Sequence, residues 1–187
     1  IGQPGTSVNV VFQRPGVTEQ VKGRFVRAII RVPAVAYTLI LDQNVGYIPL
    51  QSFNESAAED VARALLDLKR RGARSYVLDL RQNGGGSLDQ ALDISDLFLK
   101  PGQEIVQVRH RGRTPDIANA TRPSMIDSTP VVVMVDGATA SASEIVAGAL
   151  QDHDRGLVVG TTSFGKGLVQ TLFPIEGGWA IKLTTGK

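Results

Sequence analysis

Residues 131–150 read VVVMVDGATASASEIVAGAL, and the order of residue types in them decides the fold class. Val131–Val135 is an unbroken apolar run, the mark of a strand buried on both faces. Small and polar residues follow, Asp136 through Ala140, and the chain then opens a helix near Ser141 that reaches Leu150. Ser141 and Glu144 stand in the S-x-x-E relation of a capping box. A core strand that turns through small residues directly into a helix is half of an α/β unit.

The same grammar repeats upstream. Residues 76–80 form a short apolar strand that runs into Arg81, Gln82, Asn83 and three glycines, 84–86. Ser87 and Gln90 give a second capping box, opening a helix through Ala91, Leu92 and Phe98. Before it, Ser56 and Glu59 cap a helix whose apolar face carries Val61, Ala64, Leu65 and Leu68 and which Gly72 ends. Residues 35–41 and 45–50 read as a strand pair around Asp42, Gln43 and Asn44. Downstream, a polar strand over 104–111 leads into a loop rich in Pro, Asn and Ser. Strands at 157–160, 168–172 and 180–183 finish the chain. From Tyr47 on, strand and helix alternate, which predicts an α/β core with short crossovers. Ahead of it, residues 6–13 and 24–32 read as two strands of a separate small unit, joined by a turn at Arg14, Pro15 and Gly16, with Pro33 as the break.

Composition narrows the chemistry. The chain has 187 residues, 42% of them hydrophobic, and a mean hydropathy of +0.01, values of a soluble globular protein with material for a core. Its longest apolar run falls far short of the ~20 residues of a membrane span, so no integral membrane segment is expected. It opens on Ile1 without a signal peptide, as an excised piece of a longer polypeptide would. Zero cysteines exclude disulfides, thiolate catalysis and cysteine-type zinc sites. A net charge of +2 arises from clusters such as Lys69, Arg70 and Arg71, without the interleaved aromatics of a nucleic-acid surface. Neither acid pairs nor histidine spacing suggests a metal site, and no cofactor is expected.

With no cysteine and only two histidines, the routes to an activated nucleophile are few. A serine with lysine as its base remains open, and Ser141 with Lys166 is the candidate pair. Ser141 reads first as a helix N-cap. Its setting after a buried strand and small residues is also how hydrolases expose a nucleophile, though GxSxG is absent. The glycines 84–86 read as a flexible turn, or as one that aims bare N–H groups at a common point, the geometry of an oxyanion hole. Lys166 lies in GTTSFGK, residues 160–166, which fits seven positions of a phosphate loop; the eighth is Gly167 instead of a hydroxyl residue, and a strand pattern follows. Phe164 and Leu168 flank the lysine with apolar surface. Keeping a lysine neutral near pH 7 takes about 4 kcal/mol of differential desolvation. His153 ends the helix that Ser141 begins, about 18 Å along its axis and out of reach. His110, between two arginines, reads as a surface residue.

Three stretches together resemble the C-terminal processing peptidases, or tail-specific proteases, which are serine–lysine endopeptidases: residues 80–86 (LRQNGGG), 139–145 (TASASEI) and 165–170 (GKGLVQ). The likeness runs from about Val35 to the end. It implies a crotonase/Clp-protease-like core, a mixed β-sheet with helices, over residues 33–187, with family members continuing into further core structure. Residues 1–32, which include GTSVNVVFQRPG at 5–16, resemble the closing strands of a PDZ domain. By this resemblance Ser141 is the nucleophile, Lys166 the general base and Gln170 a residue that orients the lysine. Asp152 matches an acidic position important in some members. The N–H groups of Ala142 and Gly86, with Gly85 as neighbour, would form the oxyanion hole, and Ser143 falls outside the catalytic position.

The resemblance further implies hydrolysis of peptide bonds through an ester intermediate. The substrates would be protein or peptide tails held as an added β-strand, the setting extracytoplasmic, and an oligomer among the allowed states. Two other readings stand beside it. A catalytically silent peptide-binding or scaffold module would keep the fold without cutting. A crotonase-like acyl-transfer enzyme would share the oxyanion architecture and bind coenzyme A.

Overall fold

The computed structural model describes residues 2–187. The chain divides into two compact units, Ile1–Val32 and Pro33–Lys187. The first is a hairpin of β1 (Ser7–Phe12) and β2 (Val21–Val26), paired antiparallel from Ser7 opposite Val26 to Phe12 opposite Val21. Phe12 and Phe25 meet edge to face, centroids 6.0 Å apart. The second strand starts and ends earlier than the apolar pattern over 24–32 predicts. The register with β1 runs out at Arg27, whose N–H donates to Thr6 O; past it Ile29 and Ile30 pair with no strand among the described residues and stay exposed.

The second unit is mixed α/β, as the alternation of elements predicts. Its central sheet has the order β3-β4-β5-β8-β9. The antiparallel pair β3 (Leu39–Leu41) and β4 (Val45–Pro49) is joined by a 3-10 turn, Asp42–Asn44, in which Gln43 and Asn44 both take φ of 59°. Next come α1 (Ala57–Arg70), then β5 (Ser75–Asp79) parallel to β4, then α2 (Leu88–Asp96). An antiparallel hairpin follows, β6 (Glu104–Val108) with β7 (Asp116–Asn119). The chain returns to the sheet as β8 (Val131–Val135), crosses through α3 (Ala142–Asp152) and enters as β9 (Leu157–Gly160). A second antiparallel hairpin, β10 (Val169–Ile175) with β11 (Trp179–Gly186), ends it. Among the described residues no helix is long and apolar enough to cross a membrane.

One core holds these layers together. Ile48, Leu78 and Val133, from three adjacent strands, are fully buried with Val61 and Leu68 of α1, Ile94 of α2 and Val146 and Leu150 of α3. Each such side chain contributes roughly 1.5–3 kcal/mol of apolar burial. Two of the capping boxes expected from sequence close differently. Asn54 Oδ1, not the Glu59 side chain, accepts the Ser56 N–H at 3.1 Å, the Ser56 side chain makes no cap bond, and Glu59 pairs with Arg63 instead. Ser87 Oγ does accept the Gln90 N–H, but Gln90 Oε1 reaches across to the Ala58 N–H of α1 at 2.8 Å. Tertiary proximity of α1 and α2 outcompetes the local bond.

Candidate active site

The site follows from the parallel register. Asp79 of β5 lies opposite Met134 of β8, and Val135 of β8 opposite Gly160 of β9. These adjacent strands therefore end at one edge of the sheet, and the three loops that leave them converge there. Such a crevice at the carboxyl ends of parallel strands is where α/β sheets bind ligands. The loops carry, in order, residues 80–87, the Ser141 elbow and the Lys166 segment.

Ser141 takes φ 60° and ψ −117° at the head of α3. This is a sparsely populated conformation for a residue with a side chain, costing of order 1–3 kcal/mol, and it persists because the surroundings over-determine it. Thr139, fully buried, donates its hydroxyl to Leu80 O at 2.8 Å, and the Ala140 N–H donates to Asn83 O at 3.1 Å. Asp136 accepts the Gln82 N–H at 3.0 Å and the Ala138 N–H at 3.0 Å. Those backbone bonds, Gln82 first, outweigh its partial desolvation and hold its carboxyl down to about 2.

The capping box read from sequence is present, and its acid does more than cap. Glu144 Oε2 accepts the N–H of Ser141 at 2.7 Å and of Lys166 at 2.8 Å. Oε1 accepts the N–H of Gly165 at 2.6 Å and the Ser163 hydroxyl at 2.7 Å. One carboxylate thus ties the Ser141 elbow to the Lys166 loop. Burial pushes the Glu144 carboxyl up, but the bonds from Ser163, Ser141, Lys166 and Gly165 prevail and hold it below its ordinary value. The sequence reading assigned Glu144 only to the cap. Three of the four donors lie on the loop after β9, 19 or more residues away, which no local pattern reveals.

Ser141, Lys166, Gln170, Gly86 and Ala142 line one cavity of about 360 Å³. Ser141 and Lys166 are both half-buried, and no hydrogen bond joins Oγ to Nζ. Catalytic hydrogen bonds often tighten only around a bound substrate. Leu168 lines the cavity as well, at 48% exposure, whereas Phe164 is 68% exposed and does not line it, so the apolar flank expected on both sides of the lysine exists on one.

The glycine turn sorts its own N–H groups. Gly85 N–H donates to Asn83 Oδ1 at 2.9 Å, so it is occupied. The N–H groups of Gly86 and Ala142 have no partner among the described residues, and both residues face the cavity beside Ser141. Gly85, at φ 91°, packs so close to the elbow that a Cβ would lie 2.6 Å from Ala140 O and 2.8 Å from Ala142 N. Glycine there is a requirement of packing and conformation together.

Asp152 is not brought to this place. It is the last residue of α3 and exposed, about 16 Å along the axis from Ser141 at ~1.5 Å per residue, and it does not line the cavity. The histidines are engaged elsewhere: His153 Nε2 with Glu104 O at 2.7 Å, His110 with Thr185 O at 2.8 Å and Asp116 at 2.9 Å. Ser143 is fully buried and donates to Asn83 O at 3.0 Å, which removes it as a nucleophile. The segment after Lys166 is the strand β10, not the helix a phosphate loop would open.

Residues 44–187 match the model of peptidase family S41. The chain is 42% identical over 189 aligned residues to a carboxy-terminal-processing protease of Bartonella bacilliformis, covering 98% of this chain and 43% of that protein. It is 37% identical to carboxy-terminal processing protease CtpA of Bacillus subtilis, covering 100% of this chain and 39% of the relative. It thus spans less than half the length of these relatives. Among solved structures, the photosystem II D1 C-terminal processing protease superposes with a TM-score of 0.70 at 30% identity, over 100% of this chain and 51% of that one. A putative S41 protease from Bacteroides fragilis superposes at 0.71 and 21% identity over 98% of this chain and 55% of that one, which speaks for the fold. By sequence and by architecture, the chain belongs to peptidase family S41.

Proposed function

We propose that this chain carries the reaction centre of a serine endopeptidase that cuts protein substrates near their C-terminal ends by a Ser–Lys mechanism. The observation that carries the reading is a strained Ser141 elbow, flanked by two unoccupied N–H groups and opening on the cavity that Lys166 shares. Neutral Lys166 takes the proton from Ser141 Oγ as the oxygen adds to the scissile carbonyl carbon. The carbonyl π pair moves to oxygen, where the Gly86 and Ala142 N–H groups receive it. Collapse breaks the C–N bond, and Lys166 returns the proton to the leaving amine. Water then repeats the sequence on the ester.

To Gln170, which lines the same cavity from β10, we assign the orienting of the lysine; we assign Asp152 no step. The 1–32 unit reads as the closing strands of a PDZ domain and the remainder as a crotonase/Clp-like core. Extended tails would be the substrates, in an extracytoplasmic setting, as the names of the relatives and the resemblance suggest.

The test is cleavage of a disordered casein-type substrate by the protein, beside Ser141→Ala and Lys166→Ala. Both variants should lose turnover while keeping their fold. Near-normal cutting by either variant ends the assignment. Binding of the substrate with no cutting by the parent would favour the silent peptide-binding module instead.

A further inference from the structure

Asn83 is the only fully buried residue of the 80–87 turn with a polar side chain, and every polar group it owns is committed. Its Nδ2 donates to Leu50 O at 2.7 Å, past the end of β4. Its Oδ1 accepts the Gly85 N–H at 2.9 Å, and its own N–H donates to Leu80 O at 3.3 Å. Its carbonyl accepts both the Ala140 N–H at 3.1 Å, one residue before the nucleophile, and the Ser143 hydroxyl at 3.0 Å, two residues after it. One side chain and one peptide unit thus join the sheet edge, the glycine turn and both flanks of the elbow.

We propose that Asn83 is a positioning residue of the oxyanion site: by holding the Gly85 N–H it turns the next peptide so that the Gly86 N–H faces the cavity, and by holding Ala140 it sets the Ala142 N–H at the matching distance. The two donors belong to different loops, so something rigid must register one against the other. A bond network inside a water-excluded site is suited to that because its members cannot exchange partners with solvent. Gly86 is otherwise steered only by its contact with Phe53, whose N–H donates to Gly85 O at 3.1 Å and whose carbonyl accepts the Ser87 N–H at 2.9 Å. Those bonds fix the neighbours of Gly86; Asn83 connects them to both flanks of the serine, through Ala140 and Ser143, beside the Thr139–Leu80 and Gln82–Asp136 bonds that hold the start of the same turn. This inference rests on the Ser141 reading above.

The experiment separates the two. Inhibition of the parent protein by a peptide boronate, lost in Ser141→Ala, tests the nucleophile first; failure there overturns the Ser141 reading and this one with it. Asn83→Ala is then measured for kcat, KM, boronate affinity and affinity for the product peptide. The expected result is a 10²- to 10³-fold loss in kcat, the scale of one lost oxyanion donor. Boronate affinity should weaken by a similar factor, with KM and product affinity within about threefold. If Asn83→Ala melts below the assay temperature, Ser143→Ala carries the same test, since it removes one bond to the Asn83 carbonyl and leaves the Ala140 bond; about a tenfold loss is expected, again confined to kcat and the boronate. A kcat unchanged in both variants overturns the proposal. So does a loss in which boronate and product affinity fall together, because damaged folding would weaken both alike.

Discussion

Replacing Glu144 by glutamine tests the link between the Ser141 elbow and the Lys166 loop most directly. The carboxylate accepts two donors on each oxygen: Ser163 and Gly165 on Oε1, Ser141 and Lys166 on Oε2. A glutamine amide must point its NH2 at one of these pairs. On the Oε2 side it would confront two backbone N–H groups, both of which would lose their acceptor. On the Oε1 side the Ser163 hydroxyl can rotate to accept, so only the Gly165 N–H is orphaned, and the variant should choose this orientation. Leaving that N–H without a partner costs about 1–3 kcal/mol, and the remaining bonds lose their charge assistance at a fraction of a kcal/mol to about 1 kcal/mol each.

Some of the loss is recovered by water, because Glu144 is half-buried. A net of about 3 kcal/mol displaces the Lys166 loop and converts to roughly a hundredfold drop in kcat/KM. Glu144→Ala, which removes all four acceptor contacts, should cost at least tenfold more. The assay is hydrolysis of an unstructured reporter peptide, with thermal melting run in parallel to correct for unfolded protein. Activity of Glu144→Gln within threefold of the parent, at equal folded fraction, would refute the idea that this carboxylate registers the two loops.

Three further outcomes follow from the same geometry. Gly85→Ala, with its Cβ driven to 2.6 Å from Ala140 O at φ 91°, should lose about 2–4 kcal/mol of stability, read as a fall in Tm, and at least 10²-fold in kcat as the elbow shifts. Arg122→Ala removes the bond to buried Asp96, but Asp96 retains the Thr121 N–H at 2.6 Å and the guanidinium is largely exposed. About 1–2 kcal/mol should disappear from denaturant unfolding while activity per folded molecule is unchanged. In acid, both site carboxylates have folded pKa values depressed below their unfolded ones, so their contribution is complete above the ordinary carboxylate range and is lost as pH falls through the folded values. For Asp136 that window runs from 3.8 down to about 2, and for Glu144 it opens below 4.5. Carbon-13 titration of the two carboxyls should find both still ionised at pH 5; a Glu144 midpoint above 4.5 would contradict the clamp.

Much of the fold was legible because its central strands are apolar runs bounded by turn residues. Val131–Val135 and the stretch that became β5 could hardly be anything else, and α1 declared its buried face through Val61, Ala64, Leu65 and Leu68. The strand β7 was missed: Asp116–Asn119 is only four residues, has no alternation, and exists because β6 offers it a partner. The strand β10 runs past the expected 168–172 to Ile175, through Pro174, which is tolerated on a two-stranded ribbon, opposite Ala180. For the site, Ser141, Lys166 and the glycine turn could be picked out by residue type and setting. What the chain order could not convey was the division of labour among hydrogen-bond donors. That Gly85 is occupied and Gly86 is not depends on where the Asn83 side chain points, and the reach of Glu144 depends on how the loop after β9 folds back.

The shared direction of β5, β8 and β9 also gives the molecule a quiet side. Everything that touches the cavity from these strands hangs from their carboxyl ends, and the five residues of β5 place its opposite end about 16 Å away at ~3.3 Å per residue. The turn at residues 71–74, which feeds β5, lies at that far end and is largely solvent-exposed. A fluorescent reporter or an affinity handle spliced there would ride on the scaffold without entering the cavity, which makes this turn the natural place to instrument the protein for following what binds there.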